Sequence, residues 1–353
     1  MSARAPRIKA AGQRATIADV AVAAGVSKAT VSRFFNHRER LLSPDIQARV
    51  EAAIAALGYS PSLVAQSLSR GKSRLIGLVV ADITNPYSVA VLRGAEKACR
   101  DAGYLVMLFN LGNESGRERE ALDALAGYQV DGFILNTLGR SPGVVDAVAL
   151  HGKPAVLVDR HHSGLQTDFV ALDNGGAMSL ACEHLVGNGY RELLYITEPQ
   201  LGVSTRHEPT EAFSDCVAVH APQVTGQVFE SEVDDLDGLD AALKALHQRA
   251  SNGRPVAAIA GNAVVTLRVA AAMARLGWHF GSEIGFVGFD EAEWAPLIGP
   301  GLTTIVQPTD ELGRAAALCL IERLQGLDVA PRQLRLPGEL RVRGSSRVHA
   351  VER

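Results

Sequence analysis

From residue 75 onward the sequence alternates between two textures. Short, nearly continuous apolar runs ("LIGLVVAD", "YLVMLFNL", "GFILNT", "AVLVDR", "ELLYIT", "VAAIAGN", "GFVGFD" and "TTIVQP") are mostly separated by amphipathic stretches of helix length, such as Ser88–Ala102 and Arg117–Tyr128. A strand apolar on both faces must be covered on both faces, and helical crossovers make its neighbours parallel. Eight such strands in one stretch of chain fit two α/β subdomains better than one. No run approaches the ~18 apolar residues that a membrane helix needs. The start "MSARAPRIKAAGQR" is basic but lacks the apolar segment of a secretory signal, so it reads as a flexible basic arm.

The first fifth of the chain is different. Residues 1–74 hold 12 Lys+Arg against 4 Asp+Glu, while the remainder holds 23 against 34. A basic end on an acidic body points to an anionic partner, nucleic acid before a membrane surface. Residues 16–59 read as three short helices. Thr16 with Asp19 three positions on is a capping-box pair, and Gly25 stops the first helix. Ser27 caps the second; Ser43 with Pro44 opens the third, which ends at Gly58.

On the second helix, Val26, Val31, Phe34 and Phe35 fall on the inner side, with Lys28, Ala29, Ser32 and Arg33 opposite. Small residues let a backbone approach a groove, an Arg forks onto guanine, and hydroxyls take phosphates or base edges. Together with the preceding helix and its Gly turn, this spells a helix-turn-helix. An ordinary amphipathic helix with a solvated face has the same spacing, and the local positive charge argues against that reading.

"TIADVAVAAGVSKATVSRFFN", followed by "LLSPDIQARVEAAIAALGYSPSLVAQSLSRGKSRLIGLVVADITNPYS", closely resembles the LacI/GalR family of bacterial transcription regulators. The later blocks "LVDR", "LDN", "GFVGFD" and "LTTIVQP" fall in that family's order, so the resemblance runs from Thr16 to about Ser345. It implies an N-terminal all-α helix-turn-helix domain with a hinge helix. A periplasmic-binding-protein-like α/β core of two doubly wound parallel-sheet subdomains follows. The implied organisation is a basic arm (1–15), a DNA-reading domain (16–59), a hinge helix and linker (60–73), an effector-binding and dimerisation body (74–346) and a tail (347–353). Within the body, one subdomain takes about 74–172 plus 307–332 and the other about 173–306 plus 333–346.

Carried over by position, the resemblance puts Lys28, Ala29 and Arg33 at base contacts, with Ser27, Thr30 and Ser32 at backbone or base-edge contacts. Thr16 and Asn36 suit phosphate anchoring. The hinge, Pro61 to Leu68, is too short to be a stable helix alone. Leu68 matches the leucine that wedges into the operator's minor groove. Gln66 stands where many members have Arg. One recognition helix per chain implies a homodimer on a pseudo-palindromic operator. Only "RVHAVER" follows "LRVRGSS", which favours a dimer over the family's tetramers.

In open α/β sheets ligands sit beyond the carboxyl ends of strands. The residues at those ends are Asn85, Pro86, Tyr87, Asp159, Arg160, Arg206, Asn262 and Asp290, with Asp173, Asn174 and Gln307 at crossovers between subdomains. The family's effector contacts map onto Tyr87, Arg206, Asn262, Asp290 and Gln307. Carboxylates and amides suit sugar hydroxyls, and an Arg fork suits a carboxylate. Ala263 replaces an acid frequent in the family, which makes the cleft less hostile to an anion. "ITEPQLGVSTR" and "ADITNPYSVAV" are similar to the branch answering to sugar acids such as 2-ketogluconate; neutral sugars and purines stay open.

Two other classes fit less well. An enzyme would be expected to show a GxGxxG after a strand, a Walker A loop or an HExxH, and none is present. A transport binding protein would need a signal peptide and no basic N-terminal domain. His161 and His162 have no metal-spaced partner and read as a solvated loop pair. Cys99, Cys182, Cys216 and Cys319 are scattered without CxxC spacing, which reads as reduced, mostly buried thiols in a cytoplasm. No cofactor and no metal are expected.

Overall fold

A computed structural model describes residues 15–35, 42–60, 72–137, 139, 143–162, 164–199, 207–250 and 253–347. Most of the basic arm and of the hinge, together with Asn36, Gln66, Leu68 and Arg206, lie outside the described residues. The chain forms two compact units, 1–73 and 74–353. Among the described residues no helix is long and apolar enough to cross a membrane.

Among the described residues the first unit has three helices: α1 (Ile17–Ala24), α2 (Lys28–Phe35) and α3 (Pro44–Leu57). They begin and end where the capping residues put them. Thr16 and Asp19 form the reciprocal box, Ser43 caps α3 through Ile46 N–H, and Gly25 and Gly58 close α1 and α3 in left-handed conformation. Val20, Ala21, Ala24, Val31, Val50 and Ala53 form the buried centre. Arg49 of α3 locks the turn by donating from Nε to the Ala24 carbonyl at 3.0 Å and from Nη2 to that of Gly25 at 3.0 Å.

The second unit holds two six-stranded sheets. The first contains β1 (Leu75–Val80), β2 (Leu105–Asn110), β3 (Gly132–Asn136), β4 (Ala155–Val158), β5 (Asp168–Leu172) and β11 (Gln333–Leu336). Its order is β11-β5-β4-β3-β1-β2, parallel throughout. The second contains β6 (Glu192–Thr197), β7 (Thr225–Glu230), β8 (Val256–Ala260), β9 (Gly285–Phe289), β10 (Thr303–Val306) and β12 (Glu339–Arg341). Its order is β12-β10-β9-β8-β6-β7, with only β12 antiparallel.

On the first sheet, α4 (Pro86–Asp101) and α11 (Thr309–Leu324) cover one face, and α5 (Glu118–Gly127) and α6 (Gly143–His151) the other. On the second, α7 (Asn174–Gly187) and α8 (His207–Val219) lie opposite α9 (Leu236–Ala250) and α10 (Ala263–Leu276). All eight strands expected from the sequence are present. The four others are β5, β7, β11 and β12. No helix separates the fully buried β5 from β4, and β7, β11 and β12 are edge strands with many exposed residues that give no run apolar on both faces.

The chain passes between the sheets three times: after β5, after β10 and after β11. The third passage corrects the expected boundary, because 333–336 pairs with β5 in the first sheet instead of joining the second subdomain. The reason is a buried carboxylate. Asp168, 1% exposed, accepts from the Arg323 guanidinium at 2.8 Å and from that of Arg332 at 2.9 Å, and takes the Arg332 N–H at 2.8 Å. Burial alone would raise the Asp168 carboxyl, but the two guanidiniums reverse this and hold it well below the usual carboxylate range.

α4 and α11 meet at backbone contact through Gly94 and Gly313. A Cβ on Gly313 would stand 2.0 Å from the Val91 carbonyl oxygen, and one on Gly94 2.1 Å from that of Asp310. Backbone cannot give way as a side-chain tip can. Gly313→Ala is therefore expected to lower stability by about 1–3 kcal/mol, the usual range for overpacking. Gly187→Ala, at the end of α7 with nothing within 4 Å, should cost nothing. Urea denaturation of the two variants checks the contrast; equal midpoints would contradict the close packing.

Candidate functional site

α2 divides its residues as the sequence implied. Val31 is fully buried, and Val26, Phe34 and Phe35 pack against the centre of the bundle. Lys28, Ala29 and Arg33 are exposed, with Thr30 and Ser32 half-buried beside them. Ser27 Oγ accepts the Thr30 N–H at 3.1 Å and lies 2.9 Å from the Thr30 hydroxyl, so these two hydroxyls order the start of the helix. Thr16 has a different job from the expected one. Its N–H and its hydroxyl both donate to Asp19 Oδ2, at 2.8 and 2.7 Å, leaving it no donor for a phosphate while the box is closed.

In the second unit a cleft opens at the carboxyl ends of the strands. One wall carries Asn85 and Tyr87 at the start of α4, and Asp159 and Arg160 after β4. The other carries Asn174, Tyr195, Thr197, Pro209, Gly261, Asn262, Phe289 and Asp290, with Gln307 on the second passage between the sheets. The sequence thus named eight of the lining residues among its candidates: Asn85, Tyr87, Asp159, Arg160, Asn174, Asn262, Asp290 and Gln307.

Asp290 is the most constrained of them. It adopts φ 72°, a left-handed conformation uncommon outside glycine. One carboxylate oxygen accepts the Ala263 N–H at the start of α10 at 2.9 Å, and the other accepts from Gln307 Nε2 at 2.6 Å. Burial nevertheless pushes its pKa up to about 6, with Asp159 adding to the rise. Asp159, on the opposite wall, is also left-handed at φ 68°. Its carboxylate meets Arg160 Nε at 3.3 Å.

Two buried polar atoms here have no hydrogen-bond partner, Tyr87 Oη and Arg160 Nη1. Burial, with Asp159 and Asp290 nearby, holds the Tyr87 hydroxyl well above its ordinary value, so it stays protonated as a donor. Unpaired buried donors are costly, and at the wall of a cleft they mark positions for ligand acceptors.

Other expected site residues also hold the helix ends that frame the cleft. Asn85 Oδ1 caps α4 through the Tyr87 N–H, and Asn262 Oδ1 caps α10 through Val265. Asn262 Nδ2 donates to Glu198 at 2.9 Å. Asp173 is a correction: it is exposed, caps α7 through the Gly176 N–H at 3.0 Å and does not line the cleft, whereas its neighbour Asn174 does. His162 is a second correction. It is 2% exposed and bonded to the Thr137 hydroxyl at 2.9 Å, with burial lowering its pKa to about 4, so it is a neutral packing residue and not a solvated one.

Tyr195, Thr197, Pro209 and Phe289 were not singled out in the sequence. Tyr195 and Thr197 lie at alternate positions at the end of β6, and Phe289 precedes Asp290, so the strand-end rule held their signal.

A DNA-reading helix bundle joined to a two-subdomain α/β body with a strand-end cleft defines a ligand-responsive transcription regulator. Residues 16–62 match the bacterial regulatory proteins of the lacI family, and residues 182–346 match the periplasmic binding protein-like domain. The HTH-type transcriptional regulator PtxS of Pseudomonas plecoglossicida is 44% identical over 333 residues, covering 94% of this chain and 96% of that protein. The HTH-type transcriptional regulator KdgR of Bacillus subtilis is 38% identical over 330 residues, covering 94% and 97%. The lac repressor dimer bound to operator and the anti-inducer ONPF superposes with a TM-score of 0.80 at 26% identity, covering 95% of this chain and all of that one. The chain belongs to the LacI family: it is a DNA-binding transcriptional regulator.

The raised pKa of Asp290 gives a signed expectation. The folded state holds this proton more tightly than the unfolded chain, so the group's contribution to stability is greatest below pH 4. It is lost as pH rises through about 6, by about 3 kcal/mol in all. Asp290→Asn should remove that slope. Chemical denaturation of both proteins between pH 4 and 7 measures it; parallel pH profiles would show that Asp290 titrates normally.

Proposed function

We propose that this regulator represses transcription as a homodimer on a pseudo-palindromic operator and is controlled by a sugar acid bound in the cleft, of the 2-ketogluconate type. The observation that carries the ligand class is the half-buried Arg160, whose buried Nη1 has no partner, beside the protonated Tyr87 hydroxyl in a cleft that also holds two aspartates. A guanidinium and a phenol suit a carboxylate, and aspartates suit the hydroxyls of a polyol. A ligand with an acid at one end and hydroxyls along its length satisfies both sets at once. The match of "ITEPQLGVSTR" to the sugar-acid branch supports the same class, with Arg206 as a second candidate clamp.

Lys28, Ala29 and Arg33 supply base contacts in this reading, and Ser27, Thr30 and Ser32 the backbone or base-edge contacts. Asn36 and Leu68 keep their proposed roles as phosphate anchor and minor-groove wedge. Thr16 contributes by ordering α1, whose remaining first-turn N–H groups stand free of helical acceptors for a phosphate. Control is linkage: the ligand changes operator affinity only by binding two arrangements of the body unequally. Gln307 is the natural lever, since it joins a cleft carboxylate to a passage between the sheets.

Arg33→Ala is expected to weaken binding to a selected operator by about 1–3 kcal/mol and to relax specificity at one base pair; unchanged affinity would remove Arg33 from base reading. Thermal shifts with sugar acids, neutral sugars and purines test the ligand class. For an acid, the shift should grow as pH falls from 7 to 5.5 and Asp290 loses its charge, and Arg160→Ala should abolish it. A response only to neutral sugars or purines would overturn the sugar-acid assignment.

A further inference from the structure

Two of the four cysteines, far apart in sequence, meet between α7 and α8. Cys182 on α7 and Cys216 on α8 are both buried in the same core, where their thiols influence each other electrostatically across the helix interface. Cys216 borders a groove of about 280 Å³ whose walls include Ser179, Glu183, Asp215, Val219 and His220. The imidazole of His220, one turn on, donates from Nδ1 to the Cys216 carbonyl at 2.9 Å, and the same nitrogen lies 3.9 Å from Sγ. From these contacts we propose that Cys216 and Cys182 form a thiol-based oxidation site, with Cys216 as the attacking sulfur, Cys182 as the resolving one and small hydroperoxides as the oxidant.

The neighbouring Cys182 thiol and the His220 imidazole favour a thiolate on Cys216, against burial and the Glu183 charge, and lower its pKa. The proximity of Cys216, reinforced by burial, raises Cys182, so the resolving sulfur stays a thiol. Burial pushes Cys99 up to about 12 and raises Cys319 as well, which makes both inert by comparison.

The chemistry balances in two steps. The Cys216 thiolate attacks the peroxide, forming an S–O bond as O–O breaks; sulfenic acid remains, and the departing oxyanion takes a proton to become water or an alcohol. The Cys182 sulfur then attacks the sulfenic sulfur, forming S–S and releasing water. The pair is oxidised by two electrons and the peroxide is reduced by two. The resulting bond would tie together the two helices whose first turns carry the cleft residues Asn174 and Pro209.

The test treats reduced full-length protein at neutral pH with excess hydrogen peroxide, quenches with N-ethylmaleimide and maps each cysteine by mass spectrometry. The expected product is a Cys182–Cys216 linked peptide, reversed by dithiothreitol, with Cys99 and Cys319 still free. Cys182→Ser should instead give a dimedone adduct on Cys216. His220→Ala should slow alkylation of Cys216 by iodoacetamide roughly tenfold at neutral pH, without change in circular dichroism. Equal oxidation of all four cysteines, or no adduct on Cys216 in the Cys182→Ser protein, would overturn the assignment. If the serine variant does not fold, the relative alkylation rates of Cys216 and Cys99 in the unaltered protein decide: equal rates refute the site, and a much faster Cys216 supports it.

Discussion

The body of this protein is organised around one expensive group, the buried carboxylate of Asp290. A charge removed from water must be matched by donors or it neutralises itself. Here two donors are supplied, the first N–H of α10 and the amide of Gln307, and they come from different parts of the architecture. One belongs to the wall of the cleft and the other to the chain where it leaves the second sheet for the first. Matching this charge therefore fixes a helix terminus, a strand end and a passage between subdomains together. The left-handed backbone at Asp290 is tolerated because three elements over-determine it. A ligand that changes the proton or hydrogen-bond balance of Asp290 acts on all of them.

The outer rim of the body repeats the theme with ion pairs. Glu208, in the first turn of α8, takes both terminal nitrogens of Arg335 on β11, at 2.8 and 2.6 Å, and also the amide of Asn174 at 3.2 Å. Arg335 in turn lies over the Phe169 ring, 5.0 Å from its centre. This set spans the two sheets next to the cleft, while Asp168 with Arg323 and Arg332 holds the chain between α11 and β11 to the first sheet. Half-exposed pairs contribute little free energy. Their weight lies in direction: bidentate geometry fixes orientation as well as distance.

What the sequence disclosed followed from local chemistry. Thr16 with Asp19, Ser43 with Pro44, and Gly25 and Gly58 mark helix ends because caps are satisfied within a few residues. Seven of the eight apolar runs announce themselves because they are buried whichever neighbour they find, while the eighth, β2, is a half-exposed edge strand. What stayed hidden depends on packing between distant segments. Arg49 locks the turn after α1 from 24 residues away. Gly94 and Gly313 matter only because α4 and α11 happen to touch there, and Cys182 and Cys216 are neighbours only across a helix interface. At the crossover after β5 the sequence pointed to the right place, but choosing between Asp173 and Asn174 required the phase of α7, which the sheet sets. His162 looked solvated because adjacent histidines are usually on loops; it is on one, but the loop folds inward onto Thr137.

The three passages between sheets also govern the order in which the molecule can be finished. The face of the first sheet beneath α4 is completed by Leu312, Ala316 and Leu320 of α11, and the β5 edge is paired only when 333–336 has been made. The first subdomain thus depends on residues made after almost all of the second. A chain emerging from the ribosome carries that apolar face uncovered until nearly its whole length has been translated. Such long-range closure is slow and leaves surface open to association with other chains. Truncation of the body anywhere before α11 would leave that face bare, giving an aggregation-prone fragment and not a smaller folded body.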